Sequence, residues 1–196
     1  MKRAFIQLPE PSVAKQFLME QQAMPLNYSH RLCTQSEQAI PGFDQDMHQA
    51  QIGAGAADWE QAKNAIRQWK MFPEAWTQIW PGNTPIETGQ SVIMFARFGG
   101  LWWRNTCQIV YTIDEPDSFG FAYGTLPGHV EAGEELFRVF QKPDGSVWYE
   151  IRAFSQPRFW MARLAYPIMR YLQARFRRDS AKQMKHYVAQ QNTVPA

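Results

Sequence analysis

From Ser91 to Phe154 large apolar residues alternate with small or polar ones, the period of two that a β-strand imposes on its faces. SVIMFARF over 91–98 is rich in β-branched and aromatic residues, and Gly99-Gly100 permits a tight reversal into a second strand over 101–113. On that second arm Trp103, Asn105, Cys107, Ile109 and Tyr111 share one face, and Trp102, Arg104, Thr106, Gln108 and Val110 the other. The next strand sets Phe119, Phe121 and Tyr123 against Gly120, Ala122 and Gly124, and stops at Leu126-Pro127-Gly128, a strong turn signal. Two more strands, over 134–141 and 147–154, are joined at Pro143-Asp144-Gly145, and a short one over 75–80 precedes the set. Such a succession predicts a sequential, mostly antiparallel sheet.

Helical spacing frames these strands. Over 11–24 Ser12 can cap, and Val13, Phe17, Leu18 and Met24 form an incomplete apolar stripe. Asp58 reads as an N-cap for a helix through Lys70 that buries Trp59, Ala62, Ile66 and Trp69. A long helix over 158–189 carries Met161, Leu164, Ile168, Leu172, Phe176, Met184 and Tyr187 on one stripe; at 1.5 Å per residue it spans roughly 45 Å, enough to cover a sheet. Pro167 lies inside it and predicts a kink. The region 24–43 reads as extended segments and turns, and 44–57, with Gly53-Ala54-Gly55-Ala56, as a flexible joint lacking the residues of a phosphate loop. The expected organisation is one domain over 1–196: a helical extension over 1–24, a core over 25–190 and a frayed tail over 191–196.

Composition narrows the function. Aromatic residues make up 14% of the chain against 19% charged, which suits a large apolar interior or an aromatic-lined pocket and argues against disorder. Cys33 and Cys107 show neither zinc nor disulfide spacing, so a reducing cytoplasm is the expected location. No run approaches the roughly 20 apolar residues of a membrane helix, and neither a signal peptide nor a G-x-S-x-G elbow is present. No cofactor is expected. The net charge of +2 is uneven: from Arg152 onward Arg and Lys far outnumber the single Asp179. This run reads as a solvated helix face or as an interaction surface; it lacks the stacked aromatics that mark a nucleic-acid binder, so nucleic acid is not an expected partner.

The densest candidate chemistry surrounds the Pro127-Gly128 turn, where His129, Glu131, Glu134 and Glu135 crowd together. If this loop folds inward, a histidine among carboxylates is a candidate general acid or base; if it points outward, the same residues are a soluble hairpin tip. His129-x-Glu131 echoes the His-x-Glu of zinc deaminases, but no Pro-Cys-x-x-Cys follows and no metal site is expected. Trp103, Phe121, Tyr123 and Trp148 are candidate walls of a ligand site, with Asn105, Thr125 and Arg152 as candidate polar contacts.

Three segments in order, WEQAKNAIRQWKMF, GFAYGTLPGHVEAGEELF and VWYEIRAFSQP, resemble a bacterial and plant family of unknown function, from Tyr28 onward. The specific part is the aromatic-YGTLPGH-x-E-x-GEE-x-F run. The order of elements in that family looks START-like, or Bet v 1-like. The resemblance therefore implies an α+β helix-grip fold: a curved, mostly antiparallel sheet of about six or seven strands packed on a long C-terminal helix, with additional N-terminal helices and an apolar cavity between sheet and helix. Helix-grip proteins range from lipid carriers to polyketide cyclases, so fold does not choose among them. Three functions remain open: binding of a hydrophobic or amphipathic small molecule, an enzyme of cyclase, dehydratase or hydrolase type using His129, and an interaction module using the basic terminal helix.

Overall fold

A computed structural model describes residues 4–36, 39–158 and 165–191. Its elements are β1 (Ala4–Phe5), α1 (Pro11–Gln22), a 3-10 turn (Cys33–Gln35), β2 (Asp44–Ala54), α2 (Gly55–Arg67), β3 (Thr77–Trp80), β4 (Ser91–Phe98), β5 (Leu101–Glu115), β6 (Ser118–Thr125), β7 (Glu131–Gln141), β8 (Ser146–Pro157) and a terminal helix, α3 (Tyr166–Gln191). All eight strands join one antiparallel sheet in the order β2-β8-β7-β6-β5-β4-β3, with β1 on β5 where β6 has already ended. Sequential hairpins from β3 to β8 thus run as the alternation predicts, and β2 closes the free edge of β8.

The sheet bends because glycine allows its strands to crowd. A Cβ at Gly120 would collide with the carbonyl of Phe137, and one at Gly133 with the carbonyl of Phe154. The concave face holds the main core, in which Phe121, Phe137, Tyr149 and Ile151 pack with Ile66 of α2 and Met184 of α3. On the convex face α1 sets Ala14, Phe17 and Leu18 against Ile93 and Phe95, and the segment before β2 sets Tyr28 and Ile40 against Phe154. Both faces of the sheet are therefore covered. Among the described residues no helix is long and apolar enough to cross a membrane.

Several expectations change. Residues 44–54 form a strand rather than a joint: β2 pairs with β8 from Asp44↔Ser155 to Ala54↔Ser146, with one bulge near Ile52. Its Asp-Gln-Asp-Met-His-Gln start is polar on both faces and gives no period-two hydrophobic signal, so only the partner strand reveals it. The Gly-Ala repeat is the strand-to-helix junction. Gly55 takes a φ of +82°, its N–H donates to Gly145 O at 2.8 Å, and Asp58, from the first turn of α2, accepts the Ala54 N–H at 2.7 Å. The helix ends at Arg67, and Trp69 stays buried outside it, donating its indole N–H to Thr84 O at 2.8 Å.

A bulge between Ile109 and Tyr111 reverses the face of β5. Tyr111 therefore packs with Ala122 and Leu136 on the convex side, its hydroxyl 2.8 Å from that of Thr34, instead of sharing a face with Cys107. Pro167 falls in the first turn of α3, where a missing N–H costs no hydrogen bond, so no kink follows from it. The expected start of this helix over 159–164 and the expected frayed end over 192–196 lie outside the described residues.

Candidate functional site

A cavity of about 720 Å³ lies between the concave face and α3. Strand register builds its polar row. Asp46 of β2 stands opposite Ala153 of β8, Ala153 opposite Glu135 of β7, and Glu135 opposite Tyr123 of β6. Cross-strand neighbours on one face lie about 5 Å apart, so four strands bring these side chains together although they are scattered along the chain. Ala153 leaves space between the two acids. Met94, Trp103, Leu172 and Phe176 supply apolar wall around the row.

Each acid in this row has a different environment. Asp46 is held by Arg170 at 2.6 and 2.8 Å and by Arg177 at 3.0 Å. Burial pulls its carboxyl upward, but the hydrogen bonds and charges of the two guanidinium groups outweigh it and keep Asp46 below the usual carboxylate range. Among the described residues Glu135 accepts one hydrogen bond, from the Tyr123 hydroxyl at 2.7 Å. Burial pushes its carboxyl up to about 7, against the lowering effects of Tyr123 and Arg177. Glu131 accepts from Gln173 Nε2 at 2.6 Å, and burial together with the charge of Glu135 raises it to about 7 as well. Neither glutamate has an ion pair among the described residues. Burial, then the Glu135 charge, raises Tyr123, so its hydroxyl keeps its proton and remains a donor.

His129 is buried at the cavity and its Nδ1 accepts the Glu131 N–H at 2.9 Å, which assigns the proton of a neutral ring to Nε2. The His129 backbone N–H donates to Leu126 O at 2.9 Å, which closes the Pro-Gly turn. Asn105 is only 5% exposed and borders the same space, and its Oδ1, buried away from that space, has no hydrogen-bond partner among the described residues. Thr125 borders it too, but its hydroxyl is engaged by Asn27 and by the Gly133 N–H at 2.9 Å. Trp103, 36% exposed, lies at the rim with its indole N–H on Phe98 O at 3.2 Å.

Four sequence candidates are placed elsewhere. Phe121 is fully buried in the aromatic core, its ring 4.9 Å from that of Trp69, and is not a cavity wall. Trp148 and Arg152 point to the convex side, because even-numbered positions of β8 face away from α3. There Lys142 lies over Trp148 at 3.7 Å and Arg152 pairs with buried Glu150 at 3.2 Å. The Glu134 carboxylate also faces outward: it accepts from the Tyr28 hydroxyl at 2.9 Å, from Leu32 N–H at 2.9 Å, and from both the N–H and the hydroxyl of Thr34. That acid anchors the segment before β2.

Sequence similarity agrees with this architecture. Residues 27–183 match the family model described as Domain of unknown function (DUF1990). A UPF0548 protein of Dictyostelium discoideum is 33% identical over 95% of this chain and 96% of its own length. The chain belongs to the DUF1990/UPF0548 family. UPF0548 protein At2g17695 of Arabidopsis thaliana is 35% identical over 70% of this chain and 69% of its own length, so the family reaches plants as well as an amoeba. Among solved structures, a hypothetical protein of Helicobacter pylori covers 85% of this chain and 99% of its own at a TM-score of 0.56 and 9% identity. The Zhui aromatase/cyclase of Streptomyces sp. R1128 covers 78% of this chain and 97% of its own at 0.55 and 13% identity. At these identities the likeness concerns fold alone, and the fold of this UPF0548 protein is the α+β helix grip.

Asp46, Arg170, Gln173 and Arg177 were absent from the sequence candidates. Asp46 sits on a strand with no hydrophobic signature. The helix residues did carry a signal: Arg170, Gln173 and Arg177 recur at i, i+3 and i+7, which puts three polar groups on one face of α3. Arg170 and Arg177 are thereby drawn from the basic run that suggested an interaction surface, and Arg175 is engaged by Asp179 at 3.3 Å and by the Trp76 ring at 4.6 Å.

Proposed function

We propose that this protein binds a small molecule with an apolar body and a polar end in the cavity between sheet and α3. The observation that carries this reading is Glu135: its carboxyl borders a space otherwise walled mainly by apolar side chains and, among the described residues, accepts from Tyr123 alone. A buried acceptor left unmade costs about 1–3 kcal/mol, a cost that a bound ligand can remove. The volume is within the range of roughly 300–1,000 Å³ usual for small-molecule sites. A neutral apolar dye, N-phenyl-1-naphthylamine, is expected to bind one per chain with blue-shifted emission, and Ala96→Trp, which fills the cavity from β4, should abolish that signal. Absence of binding, or equal binding to Ala96→Trp, would overturn the reading.

A second reading is supported by the two glutamates near neutrality. Glu131 and Glu135, raised to about 7 by burial, are suited to exchange protons with a bound molecule, with the Tyr123 hydroxyl donating beside them. An aromatase/cyclase of like fold makes cyclisation one candidate among such reactions. His129 is a candidate donor through Nε2. For any turnover found, the rate should show a limb near pH 7 that Glu135→Gln removes; a rate indifferent to both Glu131→Gln and Glu135→Gln rules out this chemistry.

A further inference from the structure

We propose that the ligand of this cavity carries a positively charged hydrogen-bond donor, a protonated amine or amidine on an apolar body, and that Glu135, with Glu131 beside it, receives that cation. The inference rests on the reading of the cavity as a binding site and adds the chemical class of its occupant.

Three observations point the same way. First, donors are missing at the polar end. Glu135 accepts only from Tyr123, so Oε1 has no hydrogen bond among the described residues, and Glu131 Oε2 has none either. A ligand that brings N–H groups satisfies both of these sites; a carboxylate or phosphate brings more acceptors and satisfies neither.

Second, the nearby cations are already engaged. Arg170 and Arg177 both close on Asp46, at 2.6 to 3.0 Å; the charge of Arg177 also reaches Glu135, but neither guanidinium pairs with it among the described residues. Among the described residues, the other strands packed on the row and the β6–β7 loop contribute acids or neutral groups. From β2 come Asp44, Asp46 and His48; from β5 the buried Cys107 thiol; from β6 Tyr123; from β8 Tyr149, whose hydroxyl bonds Ser180 at 2.7 Å; from the β6–β7 loop His129. Helix α2 turns Ala62, Ala65 and Ile66 toward the core and adds no charge. The two glutamates thus form an acidic end facing an apolar hollow.

Third, the wall suits an organic cation. Trp76, Trp103 and Phe176 border the cavity, and aromatic faces attract ammonium and amidinium groups by about 0.5–2 kcal/mol. Arg175 already uses the Trp76 ring in this manner at 4.6 Å.

Proton linkage gives the inference a sign. Burial holds both glutamates near 7, so at pH 6 they are mostly protonated and at pH 8 mostly ionised. A permanently protonated amine must displace that proton, so its affinity should rise by roughly tenfold between pH 6 and pH 8 for one such group. A neutral carbonyl ligand that accepts from the protonated acid would weaken over the same interval.

The test compares three probes of one shape, 2-(1-naphthyl)ethylamine, 2-(1-naphthyl)ethanol and 3-(1-naphthyl)propanoate, by calorimetry on the full chain at pH 6 and pH 8. The amine should bind at least tenfold tighter than the alcohol at pH 8, the propanoate weakest, and the amine's advantage should shrink several-fold at pH 6. Glu135→Gln should remove most of the amine's advantage over the alcohol. If the alcohol or propanoate binds wild-type protein as tightly as the amine, the cation assignment fails and the cavity reading stands. If none of the three binds, both fail. The ranking in wild type decides the matter even if the variant does not fold.

Discussion

Glu134 and Glu135 are chain neighbours on β7, yet the pleat sends them to opposite faces and to opposite roles. On the convex side Glu134 accepts from Tyr28, Leu32 and Thr34, and both its oxygens are filled by a segment about 100 residues away in sequence. On the concave side Glu135 accepts from Tyr123 alone and faces a hollow. A buried carboxylate surrounded by donors ties chain to chain; one left short of donors remains available to something from outside. The same contrast separates Glu150, wholly buried between Arg138, Arg152 and Gln49, from Glu131.

The largest expected effect tests the anchoring half of this contrast. Glu134→Gln replaces one acceptor oxygen by an amide that faces donors, leaving at least one buried N–H or O–H without a partner. Unfolding by urea should show a loss of about 3 kcal/mol with no change in amine selectivity. A loss below about 1 kcal/mol would mean that the segment before β2 does not depend on this acid.

Glu135→Gln should behave in the opposite way. Its carboxyl titrates near 7 when folded and near the ordinary 4.5 when unfolded. Between these values the folded state keeps the proton and the unfolded state has lost it, so its contribution makes stability fall as pH rises through this window and then level off. The glutamine variant lacks this decline. It should match wild type near pH 4 and exceed it at pH 8 by about 1–2 kcal/mol, a figure reduced because the carboxyl borders an open cavity. Equal stability at both pH values would remove the distinction between the two faces of β7.

The contrast was only half legible in the chain. Strands 91–98, 101–113 and 119–125 follow from alternation, and β7 from its carboxyl-rich but still period-two run, so the helix grip follows from local pattern plus element order. Alternation also separates Glu134 from Glu135, but pattern alone does not say which face meets a cavity and which meets the 25–43 segment, because that depends on where the glycine-bent sheet curves. Irregularity hid more. One bulge moved Tyr111 to the other face, and β2 carried Asp46 into the site on a strand whose side chains are polar on both sides. Trp148 and Arg152 were misplaced for the same reason as Glu134: their types suit a pocket, and their parity puts them outside it.

The smallest effect concerns Asn105, where the comparison is sharpest. If the concave face is assembled for a guest rather than for stability, an acceptor there that has no hydrogen-bond partner among the described residues should be dispensable to the fold. Asn105→Leu keeps the branched outline of the side chain, removes the unfilled acceptor and should change unfolding free energy by no more than about 1 kcal/mol, in the stabilising direction. A clear loss of stability would instead make Asn105 part of the scaffold, as Glu134 is.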